Sequence, residues 1–199
     1  YANKLRNLHR QNHTMKNTLR LPAAFLLGCL LLLNSCKKEM TDITPKHELS
    51  DASTYDAKNA IDWVNLFRKI VTTQNINPPR AARVYAYTGI TLYESVVDGI
   101  NNNKSLQGQL KGFNLSSIPV NTDSIDYDIV LNEALMLIAQ CDTIIPSLTA
   151  GNRDSVNAIH DRILSAKSGL VVDSIITKSK ARGMLVANAI KQYAASDNF

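Results

Sequence analysis

The sequence predicts an all-α fold, a helical bundle of about five helices around a central buried helix, on three observations. After residue 55, apolar residues recur every three or four positions in five separate stretches, the period of a helix with one buried face. No stretch sustains the period-two alternation of a half-buried strand. One stretch, Asn77 to Ile100, also carries a full set of helix start and stop signals.

At 199 residues the chain is long enough for one domain with a substantial core. The formal charge of +5 comes from 22 basic and 17 acidic residues, but the excess is local. Lys4, Arg6, Arg10, Lys16 and Arg20 stand among residues 1–35 with no acid, so the segment beyond residue 35 is neutral. A neutral domain gives no reason to expect a nucleic-acid partner.

Residues 1–14 precede Met15 and read as upstream sequence ahead of the natural start; His9 and His13 fall there and receive no role. Residues 15–35 have the layout of a secretory signal peptide, a short positive region followed by a nearly continuous apolar run from Leu21 to Leu33. That run is shorter than the roughly 20 residues a spanning helix needs. Leu33-Asn34-Ser35-Cys36 resembles the lipobox of bacterial lipoproteins, which implies lipidation of Cys36 as the mature N-terminus. The expected location is then the cell envelope, at its periplasmic or outer-membrane face, with the protein held to a membrane surface by its lipid. An uncleaved signal anchor is the alternative. Residues 36–55 are polar, contain Pro45 and show no period, so they read as a flexible tether, with His47 solvated within it.

The domain is expected over 56–199. Ala60, Val64, Phe67 and Val71, widened by Trp63, Leu66 and Ile70, form the buried stripe of a first helix ending near Gln74-Asn75. Trp63 belongs to core packing rather than ligand stacking, because it lies within that stripe. The second helix, about 79–98, has Asn77 as cap, prolines in its first turn and Gly99 as a left-handed stop. Arg83, Tyr87, Glu94 and Asp98 share one stripe of it, while Ala82, Ala86, Gly89 and Tyr93 stack on another. With most of its circumference apolar or small, this helix is expected to be the sheathed central rod, its small residues admitting another backbone.

Asn101 to Asn121 reads as a loop on its asparagines, glycines and Pro119, with Phe113, Leu115 and Ile118 pinning it to the bundle. Thr122 or Asp123 is expected to cap a third helix buried through Ile129, Val130, Ala134, Leu137, Ile138 and Cys141. Asp123, Asp126 and Asp128 lack the glycine and the terminal glutamate of a calcium loop, so they read as acids favoured at a helix start. A fourth helix spans about Asn152 to Lys167, with Val156, Ile159 and Ile163 inward and Gly169 ending it. His160 and Asp161 are adjacent, diverge on a helix, and read as surface residues rather than a metal or acid–base pair. A fifth helix, capped by Asp173, buries Ile176, Ser179, Gly183, Val186, Ala187, Ile190 and Tyr193, with Lys178, Lys180, Arg182 and Lys191 outside. A mid-helix glycine costs about 1 kcal/mol against alanine, so Gly183 implies a close crossing by a neighbour. Cys29 and Cys36 lie in the leader region, leaving Cys141 a lone buried thiol with no disulfide or cysteine-based zinc site open to it.

Trp63, Pro78-Pro79-Arg80-Ala81-Ala82-Arg83, and Tyr85-Ala86-Tyr87 running on to Tyr93-Glu94-Ser95-Val96-Val97 resemble the vanadium-dependent haloperoxidase and type 2 phosphatidic acid phosphatase (PAP2) superfamily. The similar region is the helical part ahead of that family's catalytic part. Ser179-Lys180-Ala181-Arg182-Gly183 through Ile190, and then Asp197, resemble the helix leading towards its active site. The resemblance implies a phosphate or vanadate cradle of a lysine, two arginines, a Ser-Gly-His element and a second histidine. Such groups would meet the charge of a trigonal-bipyramidal oxyanion. Those motifs do not occur in this sequence; the nearest string, Ser168-Gly169-Leu170, has leucine in place of histidine. No catalytic, cofactor-binding or metal residue is therefore assigned. The expectation is a scaffold portion truncated before a C-terminal catalytic part, with vanadate possible only in a full-length parent that oxidises halides or hydrolyses phosphate esters. The alternative is a stand-alone, non-enzymatic helical envelope lipoprotein that binds a partner.

Overall fold

Five α-helices and two short 3-10 turns make up the helical structure, and no strand forms among the described residues. The computed structural model describes residues 51–116, 118–119, 124–197 and 199. His9, His13, Cys29, Cys36, His47, Thr122 and Asp123, with the signal segment and most of the tether, lie outside the described residues. The helices are α1 (Lys58–Thr73), α2 (Pro78–Val96), α3 (Tyr127–Ala139), α4 (Ala150–Lys167) and α5 (Asp173–Ser196). No helix among the described residues is long and apolar enough to cross a membrane.

Local chemistry sets the helix ends. The Asn77 side chain accepts the Arg80 N–H at 3.2 Å, with Pro78 and Pro79 opening α2 as expected. The cap of α3 is Asp126, whose carboxylate accepts the Ile129 N–H at 3.1 Å, so the helix starts later than a cap at 122 or 123 would place it. At α5 the capping position is Val172, with no side-chain bond, and Asp173 is the first helical residue. Its charge there complements the helix dipole rather than capping a backbone N–H. Gly99 does not stop α2 in a left-handed conformation. The helix passes at Val96 into a 3-10 turn, Val97–Gly99, and a Cβ on Gly99 would collide with the Tyr127 ring.

Enclosure is divided differently from the expected sheathed rod at 79–98. The most surrounded helix is α3, which buries Tyr127, Ile129 to Leu135, Ile138 and Ala139. It packs mainly on α5 and α2. On α2 the polar stripe turns inward, while Ala82, Tyr85, Ala86 and Gly89 face solvent. The reason lies in the partners: Arg83, Tyr87 and Glu94 each find hydrogen-bonding groups on the inner side, so the polar stripe is the one that can be buried.

Trp63, Phe67 and Ile70 of α1 are fully enclosed, each stabilising the core by about 1.5–3 kcal/mol. The Trp63 indole N–H donates to Asn132 Oδ1 at 3.0 Å, and Asn132 Nδ2 donates to the His160 carbonyl at 3.0 Å. One buried amide thereby joins α1, α3 and α4. Cys141 is a buried free thiol just beyond the end of α3. The loop after Gly99 is held by buried Phe113 and Leu115 and partly buried Ile118, as its apolar residues suggested.

Gly183 is where α5 crosses α3. A Cβ there would lie 2.6 Å from the Val130 carbonyl oxygen and 2.8 Å from Glu133 Cβ. Gly89, by contrast, has nothing within 4 Å of the same position. Two glycine-to-alanine changes in helices should therefore have opposite signs. Gly183→Ala is expected to lower stability by about 1–3 kcal/mol through overpacking. Gly89→Ala is expected to raise it by up to about 1 kcal/mol through helix propensity alone. Urea midpoints of the two variants check both.

Candidate functional site

The candidate site is the inward stripe of α2 with the parts of α5 and the 100–119 loop that meet it. Steps of four and seven residues put Arg83, Tyr87 and Glu94 on one side of the helix, and all three are at least nine-tenths buried. They serve two separate arrangements, one at each half of α2.

In the first half, Arg83 closes on the end of α5. Its Nε donates to Asp197 Oδ2 at 2.9 Å and its Nη2 to Asp197 Oδ1 at 3.1 Å. Nη2 also donates to the Ala194 carbonyl at 2.6 Å, and Nη1 donates to the Thr143 carbonyl. The Tyr87 hydroxyl donates to Asp197 Oδ2 at 2.7 Å. The guanidinium lies 5.0 Å from the Tyr87 ring centre and 5.2 Å from that of Phe199. Arg83 beside it holds the Asp197 carboxyl below the usual carboxylate range. Burial first, then the Asp197 hydrogen bond and charge, push the Tyr87 phenol well up. Protein groups engage four of the five guanidinium donors. This arginine is a clamp between α2, α5 and the turn after α3, with little left to offer an anionic ligand.

In the second half, Glu94 lines a cleft of about 680 Å³ with Asp98, Lys104, Gln107, Gln109 and Arg182. Burial raises the Glu94 carboxyl, opposed by the Leu106 N–H, donated to Oε1 at 2.6 Å, and by the Ser105 hydroxyl. Tyr93 donates to the Lys104 carbonyl at 2.7 Å, and Gln107 Oε1 accepts the Leu115 N–H at 2.7 Å. The Glu94 and Tyr93 bonds strap the loop over the helix, and the Gln107 bond closes the loop on itself. Arg182, expected on the outside of α5, instead turns in to Asp98 and to the Pro119 carbonyl. The cleft thus carries both signs of charge and several amide groups, a lining suited to a neutral polar ligand.

The other expected candidates divide. Asp126 and Asp128 do sit at a helix start, and the position a cation would take is filled by the Lys167 ammonium, 2.9 Å from Asp126 and 2.7 Å from Asp128. Burial alone would lower the Lys167 pKa, but the two carboxylates outweigh it and leave it raised. Among the described residues no group of three His, Cys, Asp or Glu side chains could hold a metal ion. Ser168-Gly169-Leu170 is the turn after α4, with Gly169 left-handed at φ 76°.

His160 is not the surface residue its sequence position suggested. Its Nε2 lies 3.1 Å from Glu133 Oε2 on α3 and its Nδ1 lies 3.3 Å from Asp161 Oδ1. Periodicity could not have paired Glu133 with His160, because the partner belongs to another helix. Nor could spacing have joined Arg83 to Asp197, 114 residues apart.

The hydrogen bond that His160 donates to Glu133 raises the His160 pKa above its usual 6.5, with burial opposing and Asp161 adding to it. A raised folded value means this pair stabilises the domain fully below about pH 6.5 and fades as pH rises through the folded pKa. His160→Gln should lower stability by about 1 kcal/mol at pH 6 and flatten the pH dependence above it, read from urea midpoints across pH 6–8. Arg83→Met should cost more, about 2–4 kcal/mol, because it strands the Thr143 and Ala194 carbonyls and Asp197. Asp197→Asn should cost about 1 kcal/mol, since a quarter of that side chain already meets water. Thermal unfolding of both variants gives the comparison. No protein-family model, curated protein or solved structure matches this chain, so its functional reading rests on this geometry and on sequence resemblance.

Proposed function

We propose that this domain is the helical scaffold portion of an exported, lipid-anchored protein of the vanadium-dependent haloperoxidase and PAP2-type phosphatase superfamily, with its oxyanion site built by residues outside this sequence. One observation carries the reading. The two segments that resemble the family, 78–97 and 179–197, meet through Arg83, Tyr87 and Asp197, polar residues that lie within those segments. A bidentate arginine with two further carbonyl contacts fixes the direction of α5 at its C-terminal end. Vanadate does not fit the groups present here: Arg83 and Arg182 are both engaged by protein oxygens, and no histidine stands near either among their described contacts. No step of oxyanion chemistry is assigned to these residues.

A second reading, a stand-alone binding module of the cell envelope, is favoured by the Glu94 cleft, whose volume of about 680 Å³ falls in the range of small-molecule sites. The reading frame downstream of the Phe199 codon separates the two. A continuing frame encoding a lysine, an Arg-Pro and a Ser-Gly-His element supports the scaffold reading, and the polypeptide it encodes should oxidise bromide with vanadate or hydrolyse phosphate esters. An immediate stop codon supports the binding module. By calorimetry, residues 1–199 alone should show no saturable binding of vanadate or phosphate; dissociation constants in the micromolar range, about −8 kcal/mol, would overturn the absence of a cradle.

A further inference from the structure

The turn joining α4 to α5 exposes two large apolar side chains, Leu170 at 83% and Val172 at 63%. The turn is held tightly beneath them. The Lys167 carbonyl accepts the Leu170 N–H at 3.1 Å and the Val171 N–H at 3.0 Å, with Gly169 left-handed between. The two apolar groups are therefore presented on a rigid tip instead of folding back. Single exposed apolar residues are ordinary on protein surfaces, but two large ones held outward together on one turn make a candidate contact surface.

The start of the domain lies at the same end of the bundle. Tyr55, just after the first 3-10 turn, packs edge-on to Tyr127 at 6.0 Å and lies beneath the Lys167 ammonium at 5.1 Å. Lys167 is three residues from Leu170. Cys36 precedes Asp51 by 15 residues, a stretch that can span at most roughly 50 Å. A lipid on Cys36 would hold a bilayer within reach of Tyr55, and so of this tip.

We propose that Leu170 and Val172 insert into the interfacial region of the membrane, giving the lipid-anchored domain a second contact and a fixed orientation. The inference rests on the lipid-anchor reading of Cys36. The occupant is a lipid surface because the tip lies at the end of the bundle where the chain leading back to Cys36 enters, beside Tyr55 and Lys167, and the Lys167 ammonium is already held by Asp126 and Asp128. The attraction is apolar, so zwitterionic lipid suffices and salt has little effect.

The test uses the full chain purified from membranes and reconstituted in phosphatidylcholine vesicles containing brominated acyl chains. Mass spectrometry establishes the acyl groups on Cys36. Leu170→Trp is compared with Tyr85→Trp on the outer face of α2; the native Trp63 is fully buried and serves as the common background. Severalfold stronger quenching and a blue-shifted emission for Leu170→Trp, unchanged by added salt, are expected. Equal or absent quenching in a chain that carries the lipid overturns the tip contact and leaves the anchor standing. An unmodified Cys36 in a chain that does not float with vesicles overturns both. A blue shift of Leu170→Trp without vesicles, together with sedimentation as a dimer, assigns the tip to a second copy and also overturns the proposal.

Discussion

The depth at which α5 crosses α3 sets the rest of the molecule. Gly183 lets the Val130 carbonyl and the Glu133 Cβ approach to distances no side-chain carbon would allow. Every polar link made by α5 is placed relative to that contact. Ser179, one turn before the crossing, accepts the Asp126 N–H at 2.8 Å and so supports the start of α3. Arg182 reaches Asp98, and Asp197 reaches Arg83. From Ser179 to Asp197 the helix runs roughly 27 Å, so one rigid rod aligns three separate links. Moving the rod away from α3 by the width of a methyl group would disturb all of them together.

The sidedness of α2 follows from the same rod. A helix with arginine, tyrosine and glutamate on one stripe would ordinarily turn that stripe to water. Here α5 and the 100–119 loop bring a carboxylate, a carbonyl and a backbone N–H to meet it, and the small-residue stripe is left outside. Each buried polar group named in this stripe has a partner, which is the condition for burying it at all. Among the described residues, Ser95 Oγ on the adjacent face is buried without one.

Much of this was legible in the sequence where the cause is local. Five helices, the Asn77 cap, the enclosure of Trp63, the pinning residues of the loop and the close crossing at Gly183 all follow from period, capping chemistry or the propensity cost of glycine. Local sequence does not decide an element whose partner is remote. Which face of α2 is buried depends on Asp197, and the setting of His160 depends on Glu133. Gly99 offered a stop signal, but its lack of a side chain serves the ring of Tyr127 instead. Asp123, Asp126 and Asp128 together resembled a helix start, and only the fold reveals which of the described acids caps it.

The ammonium of Lys167 between Asp126 and Asp128 has a wider consequence. Protein surfaces can neutralise paired acids with divalent ions drawn from the medium, and their stability then follows the supply. In this domain the counter-ion is part of the polypeptide, seated by α4 against the first turn of α3. It cannot be diluted, chelated or exchanged, so the pairing of these acids does not depend on a supply of divalent ions.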